Sequence, residues 1–467
     1  MISAHTTLTD LARALRAGQI SSVDIVTGCL GRIRAQDGVL GAFSEVYEEE
    51  ALAAAEGMDK LRQAGISFGP LHGLPIALKD LIEWKGHGCE FGSLSMKGRK
   101  SEVTAPALQR LLGAGMIPLG RTEMVEFAFG GWGANEKRGT PRNPYDLNQA
   151  RIAGGSSSGS GVAVASGMCP AAIGSDTGGS VRIPASLTGL VGLKVTYGRI
   201  SLEGCLSLSR TLDSLGPMTL SVDDAALLYH AMREDARPDA PHAPLRHDQL
   251  TVEGRNVAVM APRGFPISVS PDIEAAYQAA QDALGAAGVR LHETDLPFDF
   301  AELTELNGLL IAAEAYHVHR EYIHDDGVPI NDAVRERVLK GASVSASDYF
   351  SALETRQAHV ARYRDYMRRF DAILTPAIPF TAPTLDEVDE SAAPLAQFTR
   401  PANYLSTCAL SIPTGVDGRN LPHGVQLMGT PYGEEMILAL GRALEQRLAP
   451  MPRPDLSVLK TPERVHA

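Results

Sequence analysis

Between residues 152 and 181 the chain places eight glycines in 30 positions. They include the runs Gly154-Gly155-Ser156-Ser157-Ser158-Gly159-Ser160-Gly161 and Asp176-Thr177-Gly178-Gly179-Ser180. Apolar stretches at 161–173 and 186–195 put this segment in a folded interior rather than a linker. Glycine admits backbone conformations and close approaches that a Cβ forbids. A fold that accepts this segment must therefore press its backbone against something or bend it unusually. One other stretch is as distinctive. Gly73-Leu74-Pro75-Ile76-Ala77-Leu78-Lys79-Asp80 is a short apolar run that ends in two charges. It reads as a buried strand delivering Lys79 at its C-terminal end, where open α/β sheets place their ligand sites.

The remaining pattern predicts an α/β class with mostly interior strands and no internal repeat. Helical spacing covers 8–35 with a break at Gly18 and Ser21-Ser22, where Ser22 is the expected cap of a second helix and Asp24 lies in its first turn. Helices are also expected over 46–64, 104–114, 271–287, 300–324, 345–369 and 433–448. Strands are expected at 116–120, 256–260, 288–292 and 371–375, and again within 401–429. The order across 256–292 reads as a βαβ-like unit. Residues 130–161 read as loop. The chain divides into an N-terminal helical segment (1–60), a core carrying the polar motifs (61–230), a Pro/His-rich excursion (231–255) and a C-terminal part (256–467) that completes the same fold, essentially one large domain.

Charge narrows the function classes. Lys and Arg total 43 against 55 Asp and Glu, a net −12, which argues against broad contact with a nucleic-acid backbone. Five cysteines without a CxxC pair suggest reduced thiols rather than a disulfide framework or a zinc cage. The N-terminus shows no basic region leading into an apolar stretch, and no apolar run approaches a membrane span. The expectation is a cytoplasmic protein.

The polar features join through a nucleophile problem. A serine hydroxyl is unreactive at neutral pH without a nearby base, and neither serine motif contains histidine. A lysine can serve if burial lowers its pKa, and the apolar residues before Lys79 offer that setting. The glycines before Ser180 leave backbone N–H groups to face an oxyanion.

Together these motifs resemble the amidase signature family of serine hydrolases. Gly73–Asp80 matches its lysine strand, Gly154–Ser160 its serine run, and Gly174-Ser175-Asp176-Thr177-Gly178-Gly179-Ser180-Val181-Arg182-Ile183-Pro184-Ala185 its nucleophile segment. Similarity continues at Arg142-Asn143-Pro144, Gly189–Lys194, Leu374-Thr375-Pro376, Pro401-Ala402-Asn403 and Pro422–Gly429, and so spans about residues 8 to 450. The resemblance implies a central mixed β-sheet covered by helices on both faces. It implies a Ser-cisSer-Lys triad of Ser180 as nucleophile, Ser156 as proton relay and Lys79 as base, with a cis peptide at Gly155–Ser156. The oxyanion hole would be the N–H groups of Thr177, Gly178, Gly179 and Ser180. Ser158 departs from the family's glycine, a position where positive φ would suit serine poorly.

The implied activity is hydrolysis of a small amide through an acyl-enzyme, with no metal or organic cofactor, no nucleic acid bound directly and no membrane. Homodimers are common in the family. Phe129, Gly130, Gly131 and Trp132 are the expected substrate-binding residues and suggest an apolar or aromatic acyl group. The segment 124–130 also resembles the glutaminase chain of glutamyl-tRNA(Gln)/aspartyl-tRNA(Asn) amidotransferase, which works with partner chains, although Gly133-Ala134-Asn135 departs from the Thr-Glu-Asn expected there. A catalytically silent scaffold protein is the third reading, opposed by the intact Lys79, Ser156 and Ser180. Among other motif readings, Gly155–Gly159 satisfies G-x-S-x-G, but residues 146–152 make a poor preceding strand. No Lys follows the glycine run to make a phosphate-binding loop.

Overall fold

In the computed structural model, residues 3–234 and 246–459 are described. Part of the expected Pro/His-rich excursion, 235–245, lies outside them. Eleven strands among the described residues form one mixed sheet. They are β1 (Phe43–Val46), β2 (Pro75–Lys79), β3 (Ile117–Thr122), β4 (Ala171–Asp176), β5 (Val191–Lys194), β6 (Ser214–Thr219), β7 (Asn256–Met260), β8 (Arg290–Thr294), β9 (Ala372–Pro376), β10 (Ala409–Val416) and β11 (Pro422–Gly429). Their spatial order is β1-β3-β2-β4-β6-β5-β10-β11-β9-β7-β8. Helices cover both faces, giving one large α/β domain.

Two neighbours of β2 decide where Lys79 goes. β2 runs parallel to both β3 and β4, with Ala77 opposite Ala172 and Leu78 opposite Ile173. Every residue of β2, β3 and β4 is buried. Strands covered on both faces read as continuous apolar runs, which is why Pro75–Leu78 are recognisable. Parallel pairing aligns the C-terminal ends, so Lys79 and the Ser175–Asp176 end of β4 emerge side by side. The expected βαβ unit is present as β7, a helix at Pro271–Ala286 and β8, with β7 and β8 parallel.

Several local expectations need correction. The second helix, Ser22–Leu40, is capped by Ser21 rather than Ser22. Ser21 Oγ accepts from the Asp24 N–H at 3.0 Å, and Asp24 Oδ2 accepts from the Ser21 N–H at 2.8 Å. The S-x-x-D spacing makes this reciprocal box possible only from position 21. Ser22 is instead buried, where it accepts from Arg62. Ser21→Ala is expected to destabilise the fold by about 1 kcal/mol, read as a lower denaturation midpoint at unchanged slope. A helix also occupies Ser158–Ala165, inside the stretch expected to be loop up to 161. Its glycines lower helix propensity, yet packing requires them: a Cβ at Gly159 would lie 2.6 Å from Glu123 backbone atoms. Strand β6 and the helices at Val222–Met232 and Asp332–Lys340 have no counterpart among the expected elements.

Candidate active site

Lys79 is fully buried, and its Nζ donates toward three hydroxyls: Ser156 Oγ at 2.7 Å, Ser175 Oγ at 2.8 Å and Ser157 Oγ at 2.9 Å. Its hydrogen-bond partners include no carboxylate. Burial, opposed by the more distant Asp176 and Asp213, pulls its ammonium down to about 7. Desolvation disfavours the charged amine, and hydroxyls cannot compensate as a carboxylate would. Of the three hydroxyls, the family resemblance singles out Ser156. Ser157 and Ser175 carry no assigned role in the sequence, although each adjoins a motif residue.

The serine run is seated by close backbone packing. The Gly155–Ser156 peptide is cis. A Cβ at Gly155 would fall 2.8 Å from the Gly130 carbonyl oxygen and from Gly133 Cα, so glycine is required there for space. The Ser157 N–H donates to the Ser180 carbonyl at 3.3 Å, holding the run against the nucleophile loop. Ser158 opens the helix at negative φ, so the substitution of serine for glycine imposes no left-handed backbone.

Asp176 and Arg182 organise the loop between β4 and the short helix Arg182–Leu187. Arg182 is wholly buried and donates to Asp176 Oδ1 and Oδ2 at 2.8 and 3.0 Å, to Asn403 Oδ1 at 2.7 Å, to the Thr399 carbonyl at 2.8 Å and to Gln426. Burial alone would raise the Asp176 carboxyl, but Arg182, Lys194 and the Asn403 amide hold it well below the ordinary range. The pair braces the loop, and neither residue lines the cavity described below. Asn403 and Gln426, in stretches whose resemblance carries no assigned role, are part of this brace.

The brace also engages one of the expected oxyanion donors. The Gly179 N–H already donates to Asp176 Oδ1 at 2.8 Å. Among the described residues the N–H groups of Thr177, Gly178 and Ser180 have no protein acceptor. Gly179 itself has φ +126°, and a Cβ there would collide with Thr399 Oγ1, which donates to the Gly178 carbonyl at 2.8 Å. Gly179→Ala is expected to cost about 2 kcal/mol from the backbone conformation alone and to slow labelling of Ser180 by a fluorophosphonate. Unchanged stability and labelling rate would contradict this account of the loop.

Ser180 opens onto a cavity of about 270 Å³. Phe129, Gly130, Gly131 and Trp132 line it together with Thr177 and Gly178, so the expected binding segment and nucleophile loop share one space. Trp132 is held by its indole N–H, which donates to the carbonyls of Asp389 and Ala392 at 2.9 and 3.1 Å.

A family model described as amidase matches residues 24–438. The chain belongs to the amidase family. It is 34% identical over 472 residues to the GatA-type chain of the glutamyl-tRNA(Gln) amidotransferase from Symbiobacterium thermophilum, covering 93% of this chain and 95% of that one. It is also 34% identical over 456 residues to a 2-amino-5-chloromuconic acid deaminase from Comamonas testosteroni, covering 95% and 96%. A crystal structure of an amidase superposes with a TM-score of 0.85 at 32% identity, covering 95% of this chain and all of that one. The protein is thus an amidase-family hydrolase, and no described helix is long and apolar enough to cross a membrane.

The far wall of this amidase cavity is invisible in the sequence. Arg337, Lys340 and Arg400 line it from the C-terminal half, with Glu390. None sits in a motif with a chemical reading, although Arg400 directly precedes Pro401-Ala402-Asn403. Among the described residues, His230, His247 and Glu435 bring ligand atoms within 4.8 Å of one another. Glu435 there already accepts from Arg233 and the His247 N–H, and none of the three lines the cavity.

Proposed function

We propose that this amidase hydrolyses the C–N bond of a small amide through an acyl-enzyme on Ser180. The supporting observation is the buried, hydroxyl-bound Lys79. At neutral pH much of this amine is uncharged and carries a lone pair. A neutral amine has two N–H donors for its three hydroxyl partners. Ser157 Oγ donates to the Ser175 carbonyl at 3.3 Å, so it accepts from Nζ. Ser156 can then donate to the Lys79 lone pair and accept the proton of Ser180.

Ser180 Oγ attacks the carbonyl as its proton moves to Ser156 and that of Ser156 moves to Lys79. The oxyanion accepts from the N–H groups of Thr177, Gly178 and Ser180. Return of the proton by the same relay expels the amine. Water then attacks the ester, with Lys79 again taking the proton through Ser156. This is general base and electrostatic catalysis without an imidazole.

A second reading is supported by the 34% identity to the amidotransferase chain: glutamine as the amide and a partner protein as recipient of the ammonia. Asn135, the one residue retained of the expected Thr-Glu-Asn, donates to the carbonyls of Gly92 and Met124 at 2.8 and 2.9 Å, a structural brace that favours neither reading. One experiment separates them. The purified chain is assayed for amine or ammonia release from glutamine, short aliphatic amides, an aryl acetamide, an anilide and a carbamate, with Ser180→Ala alongside. Turnover of a non-glutamine amide, lost in the variant, supports the free-standing amidase. Activity on glutamine alone supports the amidotransferase reading. Absence of both turnover and fluorophosphonate labelling overturns the triad.

A further inference from the structure

The cavity's two walls differ in charge. Phe129 and Trp132 form the aromatic side. On the other, Arg337 is neutralised by Glu390, whose Oε2 accepts from its Nη1 at 2.7 Å. Arg400 has no such partner. Among the described residues its one acceptor is the Thr304 carbonyl, 3.4 Å from Nη1, and no carboxylate lies within ion-pair distance. Burial and the adjacent Arg337 lower its guanidinium to about 10, so it is cationic at neutral pH. Lys340, exposed at the rim, has no partner for its ammonium among the described residues either. In a chain of net −12, these cations concentrate positive potential in the cavity that Ser180 lines.

A second observation lies against the same loop. Asn307 is fully buried, and neither its amide nitrogen nor its amide oxygen has a hydrogen-bond partner among the described residues. A Cβ at Gly178 would fall 3.1 Å from Arg400 Cγ and 3.5 Å from Asn307 Oδ1, so both side chains flank the oxyanion loop. Buried polar groups and cations are costly without partners. Arg400, which lines the cavity, thus has one long carbonyl contact and no carboxylate among the described residues, and is open to an acidic group of a ligand.

We propose that the substrate carries a carboxylate in addition to its scissile amide, and that Arg400 receives it, with Asn307 beside it and Lys340 at the rim. The substrate class is then a monoamide of a dicarboxylic acid, with the aromatic wall accommodating the part between the two ends. This rests on the amidase reading for the position of the amide. The planar guanidinium fork matches a carboxylate in two-point contact.

Matched substrates test it: succinamate against butanamide, and 4-carbamoylbenzoate against 4-methylbenzamide. In at least one pair the wild type is expected to favour the acid in kcat/KM by roughly 30- to 100-fold, the scale of a hydrogen bond to a charged group. Arg400→Met is expected to bring that ratio near one, and Arg400→Lys to retain part of it. Wild-type ratios at or below one in both pairs, or a preference that survives Arg400→Met, would overturn the proposal while leaving amide hydrolysis intact. Calorimetric titration of Ser180→Ala with succinate and with terephthalate reads the subsite without turnover. Binding that weakens on adding Arg400→Met supports the proposal; no binding of either at millimolar concentration overturns it. Arg400-dependent binding in a protein that hydrolyses nothing and takes no fluorophosphonate would sink the acyl-transfer reading and leave the subsite standing.

Discussion

Ser180→Ala is expected to reduce kcat/KM on any amide the wild type hydrolyses by about 10⁵- to 10⁶-fold, the scale seen when a serine nucleophile is removed from a cooperating set. The substitution removes one oxygen facing the cavity and leaves the brace of Asp176, Arg182, Asn403 and Gln426 in place. Stability should therefore stay within about 1 kcal/mol of wild type, as for most substitutions outside a packing or network role. Fluorophosphonate incorporation, measured by intact mass, should disappear. A variant that retains a hundredth of wild-type activity would show that another group attacks the carbonyl. If Ser180 and Lys79 act through one relay, as proposed, the double variant Lys79→Met/Ser180→Ala should be no slower than Ser180→Ala alone.

Lys79→Met is expected to cost about 10⁴-fold in kcat/KM, the upper range for loss of a general base. Its diagnostic is pH. With the Lys79 amine drawn down to about 7, the neutral fraction grows as pH rises through that value. Wild-type kcat/KM should rise tenfold per unit below about pH 7 and level off above it, whereas the residual rate of Lys79→Met should lack this limb. The same titration enters stability. The unfolded lysine keeps its proton until about pH 10.4, while the folded one loses it near 7. Between those values the unfolded chain binds more protons, so the contribution of Lys79 to stability rises with pH across that window and is least favourable below it. Denaturation of wild type and Lys79→Met from pH 6 to pH 9 should show the wild type gaining relative to the variant. A flat difference in stability would exclude the neutral-lysine mechanism, whereas a wild-type rate independent of pH between 6 and 9 would place the titration of Lys79 outside that range.

What can be read from the sequence is the part whose chemistry is contiguous. A strand buried on both faces shows as an apolar run, so Pro75–Leu78 and the charge that ends it are visible at once. The serine run and the nucleophile loop are equally legible because each compresses several unusual requirements into a few residues. Strand β6 hides behind Gly216 and Pro217, which disfavour strands in general, although Gly216 sits so close to β5 that a Cβ would collide with the Leu193 carbonyl. The helix at Asp332–Lys340 has only Val334 and Val338 buried, too few apolar positions to mark a face. Arg337, Lys340 and Arg400 look like ordinary solvated charges in one dimension. Their meaning lies in sharing a cavity with Ser180, a relation that spacing along the chain cannot express. The N–H of Gly179, expected as an oxyanion donor, is of the same kind: glycine content indicates available donors, and only geometry shows which one the neighbouring carboxylate has taken.

The Arg182 brace has a consequence for how the protein comes into being. A ribosome that has released the chain as far as residue 400 has already delivered Lys79, Ser156 and Ser180, but neither Asn403 nor Gln426. Until those two arrive, the guanidinium that fixes the nucleophile loop lacks two of its side-chain acceptors. The growing polypeptide would thus carry Lys79, Ser156 and Ser180 without the scaffold that aligns them, and hydrolytic competence would switch on only once Asn403 and Gln426 have joined the brace.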